Sequence, residues 1–145
     1  MLPVLLLCAA IIMTLVVGNL LSKAGAEPGH LGVDDRGFVD SKVRCEAPQS
    51  AVAFGRTEQS LVAICVDRDG HYEYRGARLG DDAVLTVVAE PTVPGEFFAQ
   101  KNGATYTVTA KELVVRTDEN VRTEPMLQFG APPLLAVEVP ASKSR

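Results

Sequence analysis

An unbroken apolar segment opens the sequence and constrains everything after it. No charged side chain occurs from Met1 to Leu21, and Thr14 and Asn19 are its only strongly polar residues. A helix needs about 20 mostly apolar residues to cross the roughly 30 Å hydrocarbon core of a bilayer. The segment lacks the polar face that a helix in a soluble protein would show at helical period. Residues 1–22 are therefore predicted to form a transmembrane anchor.

The residues after this segment leave two outcomes open. Ala24-Gly25-Ala26, followed by Glu27 and Pro28, has the small-residue pattern of a signal-peptidase site, with the cut after residue 26. The apolar segment is longer than the usual h-region of about 7–15 residues, and no basic residue precedes it. These features favour an uncleaved anchor, with secretion after cleavage as the alternative.

The orientation of the anchor depends on two opposing signals. Lys23, just after the apolar segment, weakly favours a cytoplasmic body under the positive-inside rule. The acidic residues that follow and the small-residue site both suit export. We expect a single-pass protein of the cell membrane with an extracytoplasmic body.

The composition of the body indicates which partners it can bind and whether its cysteines are bridged. Without Lys23 the chain carries 13 basic and 18 acidic side chains, a net charge of −5, which is unlike a nucleic-acid binder. Cys45 and Cys65 are predicted to form a disulfide, because exported domains with two cysteines most often bridge them. Two buried free thiols are the alternative. No metal site or cofactor is expected, since His30 and His71 have no companions at ligand spacing.

Short apolar stretches recur at hairpin spacing through the body. The predicted strands QSLVAICV, HYEYRGARL, AVLTVVAE, EFFAQ, ATYTVTA, KELVVRT and NVRTEPML are separated by turn residues, and Asn102-Gly103 is the strongest hairpin signal. From Ser50 onward about six or seven strands are expected, with no amphipathic helix. The fold class is mainly β: the N-terminal transmembrane helix plus one small antiparallel β-sandwich or barrel-like domain.

The same pass along the chain sets the expected domain boundaries. Residues 23–44 are rich in glycine and acidic residues without a period, which predicts a flexible stalk. Residues 45–130 form the predicted extracytoplasmic β domain. Residues 131–145 form a tail that is partly disordered, although its segment LLAVEV could add an edge strand before Pro140.

No pattern of catalytic residues is found. The chain lacks G-x-S-x-G, and the serines of the body have no neighbouring base in the sequence. Asp67-Arg68-Asp69-Gly70 begins like a calcium loop, but His71 and Arg78 stand where further ligands are needed, so a turn is predicted. An enzyme is not expected.

One strand carries the residue types that are favoured in binding sites. In HYEYRGAR, His71, Glu73, Arg75 and the terminal Arg78 are predicted to share one face, with Tyr72 and Tyr74 on the other. Tyrosine and arginine are common anchors of interfaces. These residues are the candidate binding surface, and the alternative is that the tyrosines fill the core while the charged residues face water.

The strings SLVAIC, GHYEYRGARL, GATYTVTAKELVV and EPML, taken in this order, resemble small anchored, exported proteins of unknown function from actinobacteria and their phages. The resemblance spans roughly residues 45–129 and implies an envelope protein, with no catalytic residue to carry over. The leading hypothesis is a membrane-tethered binding or interaction module of the envelope with an unknown protein or envelope partner. The alternatives are an envelope-polymer hydrolase and a secreted structural domain.

Overall fold

The computed structural model describes residues 30–81 and 83–132. The predicted anchor, the predicted cleavage site and the predicted strand LLAVEV lie outside these residues. The chain divides at His30 into two compact units, and the fold below belongs to the second, Leu31–Arg145. Within the described residues, no helix is long and apolar enough to cross a membrane.

The body is mainly β, as predicted, and its described part contains no helix. The described residues form eleven strands: β1 (Val33–Asp34), β2 (Gly37–Phe38), β3 (Ser50–Arg56), β4 (Ser60–Val66), β5 (Tyr72–Arg78), β6 (Leu85–Pro91), β7 (Phe97–Lys101), β8 (Ala104–Val108), β9 (Glu112–Arg116), β10 (Val121–Pro125) and β11 (Gln128–Gly130). β1 and β2 form a small hairpin. The other nine strands form one antiparallel sheet in the order β10-β9-β8-β7-β6-β5-β4-β3-β11.

Strands β3 to β10 form a meander, in which each strand pairs with the next through a short turn. The predicted hairpin at Asn102-Gly103 is confirmed. Both residues have positive φ, 51° and 77°, and they join β7 to β8. Asparagine and glycine tolerate this conformation better than other residues, which is why the pair is a reliable turn signal.

The predicted number of strands from Ser50 onward was too low, because the sheet contains nine. The two missed strands are β3 and β11. β3 reads SAVAFGR and is broken by a bulge between Ala51 and Ala53, so its apolar residues do not alternate. β11 has three residues, too few for a period to show.

The sheet curls into a half-barrel. β10 and β11 lie at opposite ends of the strand order, yet Met126 and Leu127 alone connect them. The three Cα–Cα steps from Pro125 to Gln128 span at most about 11 Å, so the two edges must approach each other. Leu127 donates its backbone N–H to the carbonyl of Arg56 on β3, and Thr57 bonds to Glu124 of β10. This curled sheet is the barrel-like alternative of the predicted fold class.

The concave side of the sheet encloses the larger core. Its fully or almost fully buried members come from seven strands, β3 to β9: Val52, Ala53, Val62, Ile64, Tyr74, Ala89, Ala99, Val108 and Leu113. Val62 and Ile64 follow the two-residue period of β4, since alternate side chains point to the same face, whereas the bulge in β3 brings the adjacent residues Val52 and Ala53 into the same cluster. The curl lets Tyr74 of β5 reach Tyr106 of β8, with ring centroids 5.0 Å apart.

A second apolar cluster lies on the opposite face of β3 to β5. Phe38 and Val43, both with no exposed surface, pack there against Phe54 and Ala63. Strand β4 is therefore covered on both faces, which explains why SLVAIC reads as a continuous apolar run rather than an alternation. We call residues 31–45, which cover this face, the strap.

The strap corrects the predicted domain boundary. A flexible stalk was predicted for residues 23–44, but the structure folds residues 31–44 onto the sheet. The glycine-rich, acidic residues that suggested a stalk form the β1–β2 hairpin instead. Gly37 in this hairpin has a φ of 96°. Two residues of that segment, Phe38 and Val43, enter the core. The composition of the segment does not indicate that these two apolar residues are buried.

The predicted disulfide is confirmed: Cys45 at the end of the strap is bonded to Cys65 of β4. Both cysteines are buried in the second cluster. The bridge closes a loop with a sequence separation of 20.

Removing this bridge should destabilise the body. The double variant C45A/C65A should lose about 3 kcal/mol of unfolding free energy, because a loop of this length is no longer closed in the unfolded chain. Urea unfolding of the oxidised protein and of the variant measures the difference. Reductant should destabilise the wild type and leave the variant unchanged. Equal stability of the oxidised and reduced wild type would contradict the prediction.

Gly76 is predicted to be essential for the position of Tyr74. A Cβ atom at residue 76 would lie 2.3 Å from the hydroxyl oxygen of Tyr74 and 2.7 Å from two of its ring carbons. Gly76→Ala should therefore lower the unfolding free energy by about 1–3 kcal/mol, the usual range for overpacking. Gly32→Ala is the matched control, because its nearest neighbour would be 4.0 Å away. Equal melting temperatures of the two variants would refute this role.

Candidate functional site: the Tyr74 cavity

The five predicted binding residues do not form one surface. His71 lies in the turn after β4, where its Nδ1 is 3.0 Å from Oδ2 of Asp67. Tyr72 is half-buried, with its ring centroid 5.5 Å from that of Phe97. Tyr74 is buried in the concave core. The tyrosines therefore contribute to packing, as the alternative interpretation of this strand held.

The two predicted arginines lie on opposite faces of β5. Arg75 is on the face of the strap, 3.3 Å from a carboxylate oxygen of Glu46 and 3.4 Å from one of Glu73. Arg78 lines a cavity together with Tyr74. Placing Arg78 on the face of Arg75 was wrong, because it lies three residues away and strand faces alternate every residue.

The cavity opens on the concave side, between β5–β6 and β8–β10, and has a volume of about 390 Å³. Ligand sites of proteins are commonly about 300–1,000 Å³ in size, mainly apolar with a few placed polar groups. Its apolar walls come mainly from Tyr74, Leu85, Tyr106, Leu113 and Val115, and its polar groups from Ser60, Arg78, Asp81 and Arg122. Leu113 and Tyr74 are almost fully buried and form the deepest part.

Tyr74 is the most constrained side chain in the cavity. It is 3% exposed, and its ring lies between Tyr106 and the backbone of Gly76. Burial raises the pKa of Tyr74, and the neighbouring Tyr106 adds to the rise, so the hydroxyl keeps its proton at any ordinary pH. That hydroxyl makes no hydrogen bond to another residue within 30–81 or 83–132, and it is accessible from the cavity, since it is not among the buried side-chain atoms that lack a partner.

An ion pair between a partly exposed arginine and a buried glutamate supports the wall of the cavity. Arg122 on β10 lines the cavity and donates its Nε–H to Glu124 at 2.5 Å. The second carboxylate oxygen of Glu124 accepts the hydroxyl of Thr57, also at 2.5 Å. Because Thr57 follows β3, this network holds β10 against the start of the meander and fixes the guanidinium of Arg122.

The pKa of Glu124 is set by opposing effects. Burial alone would raise it, but hydrogen bonds from Thr57, Ser60 and Arg122, with the positive charge of Arg122, outweigh burial and lower the pKa below 4.5. The carboxylate is therefore ionised at neutral pH and balances the charge of Arg122.

Sequence reasoning missed Tyr106, Arg122 and Glu124. The two-residue period of ATYTV and VRTEP could have placed them on the inner face of their strands. Nothing in the sequence indicates that β8 and β10 face β5 across the curl, because that depends on the register of five intervening pairings.

The turn between β4 and β5 gathers three side chains of metal-ligand type. The donor atoms of Asp67, Asp69 and His71 lie within 4.8 Å of one another. Asp67 uses one carboxylate oxygen to accept the backbone N–H groups of Asp69 and His71. The predicted turn is confirmed, and its carboxylate serves to close it.

No protein-family model, curated protein or solved structure matches this chain. The site is therefore interpreted from its own geometry.

Acid should weaken the network around Glu124. A carboxylate with a lowered pKa stabilises the folded state above its unfolded-state pKa, and this stabilisation is lost as the pH falls through the folded value. The wild type should therefore lose stability below about pH 4.5 more steeply than Glu124→Gln, which has no such proton to bind. Melting temperatures measured across this range test the difference. Glu58→Gln, an exposed residue of the β3–β4 turn, should follow the wild type, and parallel curves for all three would contradict the assignment.

Proposed function

We propose that this chain is a membrane-tethered, extracytoplasmic binding module whose binding site is the Tyr74 cavity. The cavity is the observation that carries the proposal. It combines an apolar floor with polar groups held in place by the fold, which is the usual construction of a small-molecule site. The guanidinium of Arg122 is positioned before any ligand arrives, so little conformational entropy is lost on binding.

The proposed location has separate support. Disulfides form and persist in oxidising compartments, and the bridge between Cys45 and Cys65 fits an exported body. The apolar segment at the N-terminus supplies a tether of membrane-spanning length. The resemblance to anchored envelope proteins is consistent with this location and adds no binding residue.

The two other hypotheses remain alternatives. An envelope-polymer hydrolase of the usual kind needs two carboxyl groups flanking the scissile bond, about 5–10 Å apart. Among the described residues that line the cavity, Asp81 is the one carboxylate, while Glu124 is occupied by Arg122 and Thr57. A secreted structural domain would need no ligand, so a bound small molecule favours the binding module over it.

The location can be tested without any ligand. In protoplasts of an expressing cell, externally added protease should digest the body while a cytoplasmic marker protein survives. Alkylation without reduction should leave Cys45 and Cys65 unmodified, because an oxidised pair presents no thiolate. If the anchor is uncleaved, Ala26→Leu should add only the mass of the substitution itself and leave the membrane fraction unchanged. A body that is protected from protease, with two alkylated thiols, would overturn the proposed function.

A further inference from the structure

The hydroxyl group of Tyr74 forms no hydrogen bond with another described residue. Tyr74 as a whole is 3% exposed, but its oxygen is not among the buried side-chain atoms that lack a partner, so the oxygen is accessible from the cavity that the residue lines. A tyrosine hydroxyl in such a position takes water or a ligand group as its partner. The wall of the cavity therefore contains a donor and acceptor that no described residue occupies.

The charged groups around this hydroxyl are balanced. Arg78 and Arg122 contribute two positive charges, Asp81 contributes one negative charge, and Glu124 contributes the other through its bond to Arg122. A ligand with a net charge would be attracted by one side of the cavity and repelled by the other. The lining thus favours a ligand without net charge.

The polar groups also require a ligand that both donates and accepts. Arginine only donates and a carboxylate only accepts, whereas a hydroxyl does both. The backbone N–H of Asp81 bonds to the carbonyl of Arg78, so one turn holds a donor side chain and an acceptor side chain at the same part of the rim. Ser60 adds a hydroxyl of its own. Neighbouring hydroxyls on one ligand would satisfy such a set.

We infer that the Tyr74 cavity binds a small, uncharged, hydroxyl-rich molecule, a monosaccharide unit or a polyol of similar size. The ligand bonds to the hydroxyl of Tyr74, exchanges hydrogen bonds with Arg78 and Asp81, and packs its C–H groups on Tyr106 and Leu113. This inference rests on the proposed function, because it names the ligand of the same site.

The three tyrosines of the chain provide the test. The full-length protein in detergent micelles, labelled with 3-fluorotyrosine, gives one fluorine NMR signal for each. Glucose and N-acetylglucosamine are the neutral probes, and glucuronate and glucosamine are the charged probes with the same ring. The neutral probes should shift the signals of Tyr74 and Tyr106 in a saturable manner and leave that of Tyr72 unchanged, because Tyr72 lies outside the cavity lining.

Two variants separate binding from folding. Tyr74→Phe removes the unpaired hydroxyl, so the melting temperature of the free protein should not fall, while the Kd for the neutral probe, followed at Tyr106, should rise about five- to tenfold. Tyr72→Phe is the matched control and should keep the wild-type Kd. Arg78→Gln should also weaken binding, whereas Arg68→Gln, an exposed residue of the β4–β5 turn, should not.

Each remaining outcome contradicts the inference. Tighter binding of glucuronate or glucosamine would show that the ligand class is wrong and leave the binding module standing. No saturable shift with either neutral sugar, up to tens of millimolar, would also overturn it, as would a Tyr74→Phe variant that binds like the wild type. The protease experiment on protoplasts is independent of these results, so a failure of the proposed location is recognised separately.

Discussion

The link of two residues between β10 and β11 determines the shape of this body. Met126 and Leu127 join strands from the two ends of a nine-stranded order, and so short a connection is compatible with a curled sheet only. The curl creates a concave side, and that side carries both the main core and the cavity. The hydrogen bond from Thr57 to Glu124 then keeps the two edges together, because neither of these buried groups has water as a substitute partner.

Glycines at two positions make close packing inside the curl feasible. At Gly76 the ring of Tyr74 occupies the space of a side chain, and at Gly55 the sulfur of Met126 does the same, 2.5 Å from where a Cβ would lie. Glycine inside a strand normally weakens it, and here an aromatic ring or a thioether fills the gap. The connection that imposes the curl is thereby also packed against the strand that it meets.

The sequence was informative where structure is local. Asn102-Gly103 sets its own backbone geometry, and the alternation in HYEYRGARL follows from the pleat of a strand, so both features could be predicted. The pairing of Cys45 with Cys65 could be predicted because these are the two cysteines of the body, Cys8 lying in the apolar segment. Strand β3 was missed because a bulge and two small alanines remove its period. The cavity could not be predicted. Tyr74, Tyr106 and Arg122 lie close together only because of the registers of several successive strand pairs and the curl of the sheet.

The strap also determines how a pulling force would enter the body. Tension applied at the N-terminal side of Leu31 first meets the β1–β2 hairpin and then reaches Cys45, whose disulfide leads directly into β4. This strand is held on both sides by β3 and β5, so two ladders of hydrogen bonds share the load. An edge strand would be held by one such ladder. A covalent connection to an interior strand therefore suits a domain that is held by its N-terminal end.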